Sequence, residues 1–277
     1  MTIGFALRFL DSRKVPALFG NPEIAKAQPK IELLSPLSRS VLAMSISPGR
    51  GSVGEPRVPP REAFLGMDLI RFFFAAATGY LLGTLPSSDI ASGLVSGGSV
   101  DLRSAGSRNP GGMNARRVFG RPAGIAVTAT DIGKGFLACA GGRRLAGDTG
   151  AHVAGVAAVA GHCYPVWSRF RGGKGVATSF GQCLYTFPAY APIDVAVATA
   201  IARVPGLRRP ALASVLTAST AWLIASVLWW KRALPNLWGP QPTAALPLAA
   251  AATVLVIASR AVVGLGRREP DELLPTR

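Results

Sequence analysis

The sequence predicts an all-α, polytopic integral membrane helical bundle of six or seven transmembrane helices, and three observations carry that prediction. Apolar residues make up 49% of the 277 positions while charged residues make up only 16%, with a mean hydropathy of +0.34. A soluble domain carries nearer ~25% charged residues. The missing charge is missing from long continuous stretches, which is what a hydrocarbon solvent selects. The formal net charge of +16 gathers in the short segments between those stretches, as expected of a protein whose basic loops face one side of a bilayer.

Residues 1–66 stand apart. Basic positions run from Arg8 to Arg61, with a Pro- and Gly-rich tract from Ser47 to Pro60 and no apolar span long enough to cross. This part reads as a disordered basic extension that the mature protein can lack. Met67 directly precedes the first apolar span and is a plausible translation start. Residues 67–265 form the membrane domain, and 266–277 a short tail on the cytoplasmic side.

The predicted membrane helices are Leu69–Leu85, Pro122–Ala140, Thr149–Trp167, Val176–Pro188, Ala191–Val204, Leu212–Trp230 and Thr243–Val263. About 20 apolar residues span a bilayer, so the charge-free runs 212–230 and 243–259 are the strongest. The two short pieces around Phe187-Pro188 read equally as a hairpin or as one kinked helix, which is why the count is six or seven. Trp167, Trp229 and Trp230 fall at span ends, where aromatic belts belong. With seven spans, the arginines of 98–121, the cations of 168–175 and 203–209, and Arg267 and Arg268 share one face. The positive-inside rule makes that face cytoplasmic. Cys139, Cys163 and Cys183 lie in or beside apolar segments without metal spacing, and read as reduced structural thiols.

Two loops carry the residues with chemistry. The first is Ser104-Ala-Gly-Ser-Arg-Asn-Pro-Gly-Gly-Met-Asn-Ala-Arg-Arg117. It interleaves Ser107, Asn109 and Asn114, as neutral donors, with glycines that let backbone approach an oxyanion. Arg108, Arg116 and Arg117 follow, with guanidinium forks that fit phosphate. The plain alternative is a flexible basic loop. The second runs from Gly161-His162-Cys-Tyr-Pro165 to Phe170-Arg-Gly-Gly-Lys-Gly-Val-Ala-Thr178. There Gly172, Gly173, Lys174 and Gly175 enter a helix whose free N–H groups suit an anion. Its alternative is an interfacial turn with a snorkelling lysine. Gly175 stands where a nucleotide-binding P-loop needs Ser or Thr, so nucleotide hydrolysis is excluded. His162 reads as a base, a phosphate donor or a satisfied structural histidine, and His152 as structural. Asp131 and Lys134 share one helix face within a span, as a functional pair or an internally neutralised lock.

Between Glu62 and Glu269 the chain contains no glutamate, and the basic loops offer only Asp101. Carboxylates for a metal, and a Ser-His-Asp or Cys-His nucleophile set, are both lacking. No metal or other cofactor is expected. Phosphorylated substrates and lipid headgroups suit the charge better than nucleic acid does.

At these motifs, from about Gly79 to Val263, the chain resembles the bacterial acyl-phosphate:glycerol-3-phosphate acyltransferases, the PlsY family. Gly79-Tyr-Leu-Leu-Gly-Thr-Leu-Pro86 is similar to its first helix exit, and Gly106–Arg117 to its first loop motif. Asp131-Ile-Gly-Lys-Gly135 and Gly161-His162-x-x-Pro165 match as well, and Phe170–Thr178 is nearly its second motif unchanged. The resemblance implies a bacterial plasma-membrane enzyme with its active site on the cytoplasmic side, in phospholipid biosynthesis. It would move an acyl group from acyl phosphate to glycerol 3-phosphate, giving lysophosphatidic acid. Ser107, Arg117 and Lys174 would hold the acceptor phosphate, with His162 in the catalytic set. Asn109, Asn114, Gly172, Gly173 and Gly175 would shape the pocket. Two departures stand out. Arg108 replaces a glycine, and the His and Asn of the third motif have no counterpart after Ser259, where only Arg260 matches in part. Either Arg108 and Arg260 bind substrate in place of the lost donors, or the acceptor differs, or activity is weak. A transport-type or non-catalytic protein that keeps the phosphate cradle is the competing reading.

Overall fold

The computed structural model describes residues 61–267 and 269–274; the expectations for 1–60 lie outside them. All regular elements among the described residues are helical. They are α1 (Arg61–Gly83), α2 (Ser87–Ser96), α3 (Gly112–Phe119), α4 (Arg121–Cys163), a 3₁₀ turn (Val166–Ser168), α5 (Val176–Thr186), α6 (Ala191–Ala202), α7 (Pro210–Arg232) and α8 (Ala245–Gly266). α1 begins ahead of Met67. α4 is broken at Ala146 and Gly147, which leave helical geometry, so its two halves return on each other as the second and third spans.

Every predicted span is a helix, and three segments are long and apolar enough to cross on their own: Met67–Ser96, Pro210–Arg232 and Ala245–Gly266. α5 and α6 have 11 and 12 residues, so each rises about 16–18 Å, short of a hydrocarbon core of about 30 Å. They form a hairpin. Its start (Val176, Phe180) and its end (Ala198, Thr199) line one cavity. Its tip is met from the far side by the α7–α8 connection, where Trp238 donates to the Leu184 carbonyl at 3.1 Å and Asn236 to that of Thr186 at 3.0 Å. Phe187 and Trp229 pack edge to face there. The connection thus closes over the tip of the short hairpin.

Without a hydrophobic force between helices in lipid, close packing holds them, and small residues permit it. Gly79 and Gly83 of α1 lie against the second half of α4. A Cβ there would come within 2.2 and 2.1 Å of the Ala154 and Ala158 carbonyl oxygens. A Gly83→Val variant is expected to lose about 1–3 kcal/mol, as overpacking does, seen as earlier thermal unfolding in detergent. Gly93→Ala, whose Cβ would meet nothing within 4 Å, serves as the matched control. Equal melting of the two variants would refute this packing argument.

Asp131 and Lys134, 2.9 Å apart and almost fully buried, form the lock that the sequence allowed. Ser87 donates to Asp131 at 2.7 Å, and Lys134 donates to the Leu85 carbonyl at 3.2 Å. The pair therefore pins the Leu85–Ser87 break between α1 and α2, and fixes where the first loop begins. All three cysteines are free and buried.

Candidate active site

The two loops meet at one end of the bundle. Arg103 joins them: its Nε donates to the Arg171 carbonyl at 2.9 Å and its Nη2 to Ser168 at 3.1 Å. Asp89 at 2.6 Å and Asp101 at 3.2 Å pair with its Nη1. Burial works against its charge, but these two carboxylates outweigh that and hold the guanidinium above its usual pKa. The sequence reading counted Arg103 only as loop charge.

Within the first loop, Asn114 is the organiser. Its side-chain oxygen accepts from the Ser107 N–H at 2.8 Å, and its Nδ2 donates to the Leu102 and Ala105 carbonyls at 3.0 and 2.9 Å. The Asn114 amide is thus spent on the loop, and it shapes the pocket by fixing that loop. Gly106 answers this directly. Its φ is +56°, and a Cβ would fall 2.2 Å from the Asn114 oxygen. Arg108 sits in left-handed backbone at φ 61° and points its exposed side chain toward a second cavity.

The N–H groups of Gly172 and Gly173 are not free for an anion; they donate to the Cys163 and His162 carbonyls, both at 3.1 Å. These glycines are required by packing. A Cβ on Gly173 would come within 2.2 Å of His162 Nε2, and one on Gly172 within 2.0 Å of the His162 carbonyl oxygen. Gly175, at φ +84°, caps α5 and would crowd the Cys163 sulfur. His162 is held between this loop and Asp131, its Nδ1 lying 3.5 Å from the Asp131 carboxylate. It lines the cavity from a buried position.

Asn109, Arg117 and Lys174 converge on one residue, Glu272 of the tail. Asn109 Nδ2 donates to the Glu272 carboxylate, and Lys174 Nζ lies 3.6 Å from it. Arg117 Nη2 donates to the Glu272 carbonyl at 2.9 Å. Ser107 Oγ, Asn109 Oδ1 and Arg117 Nη1 are buried without a partner among the described residues, which leaves hydrogen-bonding capacity to spare. Arg260, 3% exposed, donates to the Gly172 carbonyl at 3.3 Å and pairs with Glu269 at 3.1 Å. It is therefore neutralised, and it braces the second loop from α8. The tail carboxylates correct one expectation: the cationic loops do not stand without glutamate. The signal was present, since three acids fall within Glu269–Glu272 of an otherwise basic chain.

Two cavities open here. The larger, about 410 Å³, has Asn109, Asp131, His162, Lys174 and Arg260 at its polar end. Its apolar end reaches Phe180, Val195, Leu212 and Ile257 between α5, α6, α7 and α8. The smaller, about 250 Å³, is lined by Arg103, Arg108, Arg171, Arg260 and Arg267, with Glu269. They share Arg260 and Glu269. An amphipathic anion is what such a pair of spaces fits: charge at the rim, chain between the helices.

Comparison with known proteins agrees with this geometry. Residues 73–263 match the family model for glycerol-3-phosphate acyltransferase. A glycerol-3-phosphate acyltransferase of Symbiobacterium thermophilum is 46% identical over 146 residues, covering 53% of this chain and 70% of that protein. One from Thermoanaerobacter sp. strain X514 is 35% identical over 155 residues, covering 56% and 76%. Among solved structures, PlsY, an integral membrane glycerol 3-phosphate acyltransferase, in its glycerol 3-phosphate form superposes with a TM-score of 0.56 at 29% identity, covering 71% of this chain and 91% of that one. Its lysophosphatidic acid form gives 0.55 at 26% identity. This all-helical membrane chain belongs to the glycerol-3-phosphate acyltransferase family.

Proposed function

We propose that the protein transfers a fatty acyl group from acyl phosphate to the 1-hydroxyl of glycerol 3-phosphate, releasing lysophosphatidic acid and inorganic phosphate. The observation that carries this reading is the convergence of Asn109, Arg117 and Lys174, from two separate loops, on a single anionic residue at the mouth of an apolar cavity. In the working complex that position belongs to the acceptor phosphate. Lys174 and Arg117 neutralise it, while the Ser107 hydroxyl, unpartnered among the described residues, and the Asn109 Nδ2, released from Glu272, donate to it. The acyl chain lies toward Phe180 and Ile257, entered from the bilayer, and the arginine-lined cavity beside Gly172 receives the donor phosphate. His162 and Asp131 support the second loop from behind.

In the reaction the acceptor hydroxyl oxygen bonds to the acyl carbon. The bond from that carbon to the phosphate oxygen breaks, and the departing phosphate takes the electron pair and the hydroxyl proton. No protein nucleophile is needed. Holding two anions side by side in fixed orientation supplies the rate gain, through proximity and electrostatic stabilisation. The cationic loops support a site on the cytoplasmic face of a bacterial plasma membrane.

The test is direct: purified protein incubated with palmitoyl phosphate and glycerol 3-phosphate yields lysophosphatidic acid, and the palmitoyl thioester does not replace the phosphate. Folded wild type that makes no product beside an active relative overturns the reading.

A further inference from the structure

The segment that follows α8 turns back over the site and is fastened on both sides of it. Glu269 pairs with Arg260 at 3.1 Å. Asp271 accepts from the N–H groups of Ala211 and Leu212 at 3.2–3.3 Å, capping the start of α7. Arg117 donates to the carbonyl of Leu274 at 2.8 Å. Between these anchors the Glu272 carboxylate is presented to Asn109 and Lys174, its side chain 13% exposed.

A carboxylate carries one negative charge, whereas a phosphate monoester carries about −1.5 to −2 at neutral pH and three acceptor oxygens. The Glu272 carboxylate therefore meets two of the donors assigned to the acceptor phosphate, Asn109 and Lys174, with less charge and fewer oxygens, while Arg117 holds the main-chain carbonyl of the same residue. Its contact with Lys174, at 3.6 Å, is looser than the 2.9 Å pair of Lys134 with Asp131. Glu269 and Asp271 keep their own partners when Glu272 leaves, so the strap stays in place while one side chain swings out. An anion site among Asn109, Arg117 and Lys174 would otherwise hold uncompensated charge.

We infer that Glu272 is a built-in competitor for the phosphate of the acceptor, a carboxylate that occupies the anion site until a phosphate monoester displaces it. The inference rests on the acceptor site assigned above. It adds a specificity filter: weakly charged or neutral alcohols cannot displace Glu272, and only a dianion gains enough from Lys174 and Arg117 to do so. The apparent affinity for acceptor falls by the fraction of time the site is free of Glu272. If the carboxylate is seated about nine-tenths of the time, the loss is about tenfold.

The experiment uses the purified full chain and titrates glycerol 3-phosphate calorimetrically with no acyl donor present, for wild type, Glu272→Gln and Glu272→Ala. Both variants are expected to bind about tenfold more tightly, with inorganic phosphate tightening in parallel. In the coupled assay KM for glycerol 3-phosphate falls while kcat changes less than about twofold. Unchanged or weaker binding in both folded variants overturns the inference, because a strap that merely supports the fold would give that result. A fall in kcat with constant KM also overturns it, since Glu272 would then serve the chemistry. Tighter binding without turnover in any form upholds the competitor and refutes the acyl-transfer reading. Turnover with unchanged binding does the reverse.

Discussion

A Lys174→Ala variant is expected to lose on the order of 10²–10³ in turnover while inserting and folding like wild type. Lys174 is the cation that the second loop brings to the polar end of the larger cavity. Removing one preorganised electrostatic donor from an acyl-transfer site costs about 10²–10³ in kcat. Its structural role is small. The side chain is 26% exposed and its partner Glu272 is 3.6 Å away, and a partly exposed pair of this kind is worth about 0–1 kcal/mol. Activity and stability should therefore separate. Arg117→Ala is expected to follow Lys174→Ala in activity, since its Nη1 is a buried donor without a partner among the described residues. Wild-type rates in either variant would mean that the anion site lies elsewhere.

Lys134→Met is expected to act in the opposite way, through the fold. Lys134 and Asp131 are 3% and 1% exposed, and removing one member of a buried pair costs about 3–5 kcal/mol because the other charge is left alone. Asp131 would keep Ser87 and the neighbouring His162, but the Leu85 carbonyl would lose its donor. The Leu85–Ser87 break would loosen, and with it the start of the first loop. Thermal unfolding in detergent should show the loss before any assay does. Pairing Lys134→Met with Asp131→Leu should recover more than half of it, since two apolar residues of similar size are tolerated where one orphaned charge is not. A double variant no better than the single one would show that the pair acts through something other than mutual neutralisation.

The runs 212–230 and 243–259 were legible as spans because their signal is physical and local: absence of charge over about 20 residues. The short pieces Val176–Thr186 and Ala191–Ala202 were legible as apolar, with a hairpin and one kinked helix both left open. The hairpin outcome depends on Trp238 and Asn236, far along the chain, meeting the hairpin tip. α2 and α3 were missed, being only 10 and 8 residues long, and α2 ends at Gly97 in left-handed geometry. The anion loops were legible by composition, and Asn109, Arg117 and Lys174 do come together. Their glycines were legible as necessary, but the contacts that require them were not. Gly172 and Gly173 admit His162 at close quarters and spend their N–H groups on α4, which no linear spacing reveals. Arg260 was legible as a remnant of a motif, but its partner Glu269 was not. A tail that folds back can be recognised only once the ends of α7 and α8 are known to lie beside the loops.

A structure of the purified protein with glycerol 3-phosphate bound decides where the acceptor sits. The phosphate is expected within hydrogen-bonding distance of Lys174, Arg117 and Asn109, at the rim of the larger cavity, with the Glu272 carboxylate moved aside. A phosphate held instead among Arg108, Arg171 and Arg267, with the Lys174–Glu272 contact intact, would contradict this placement.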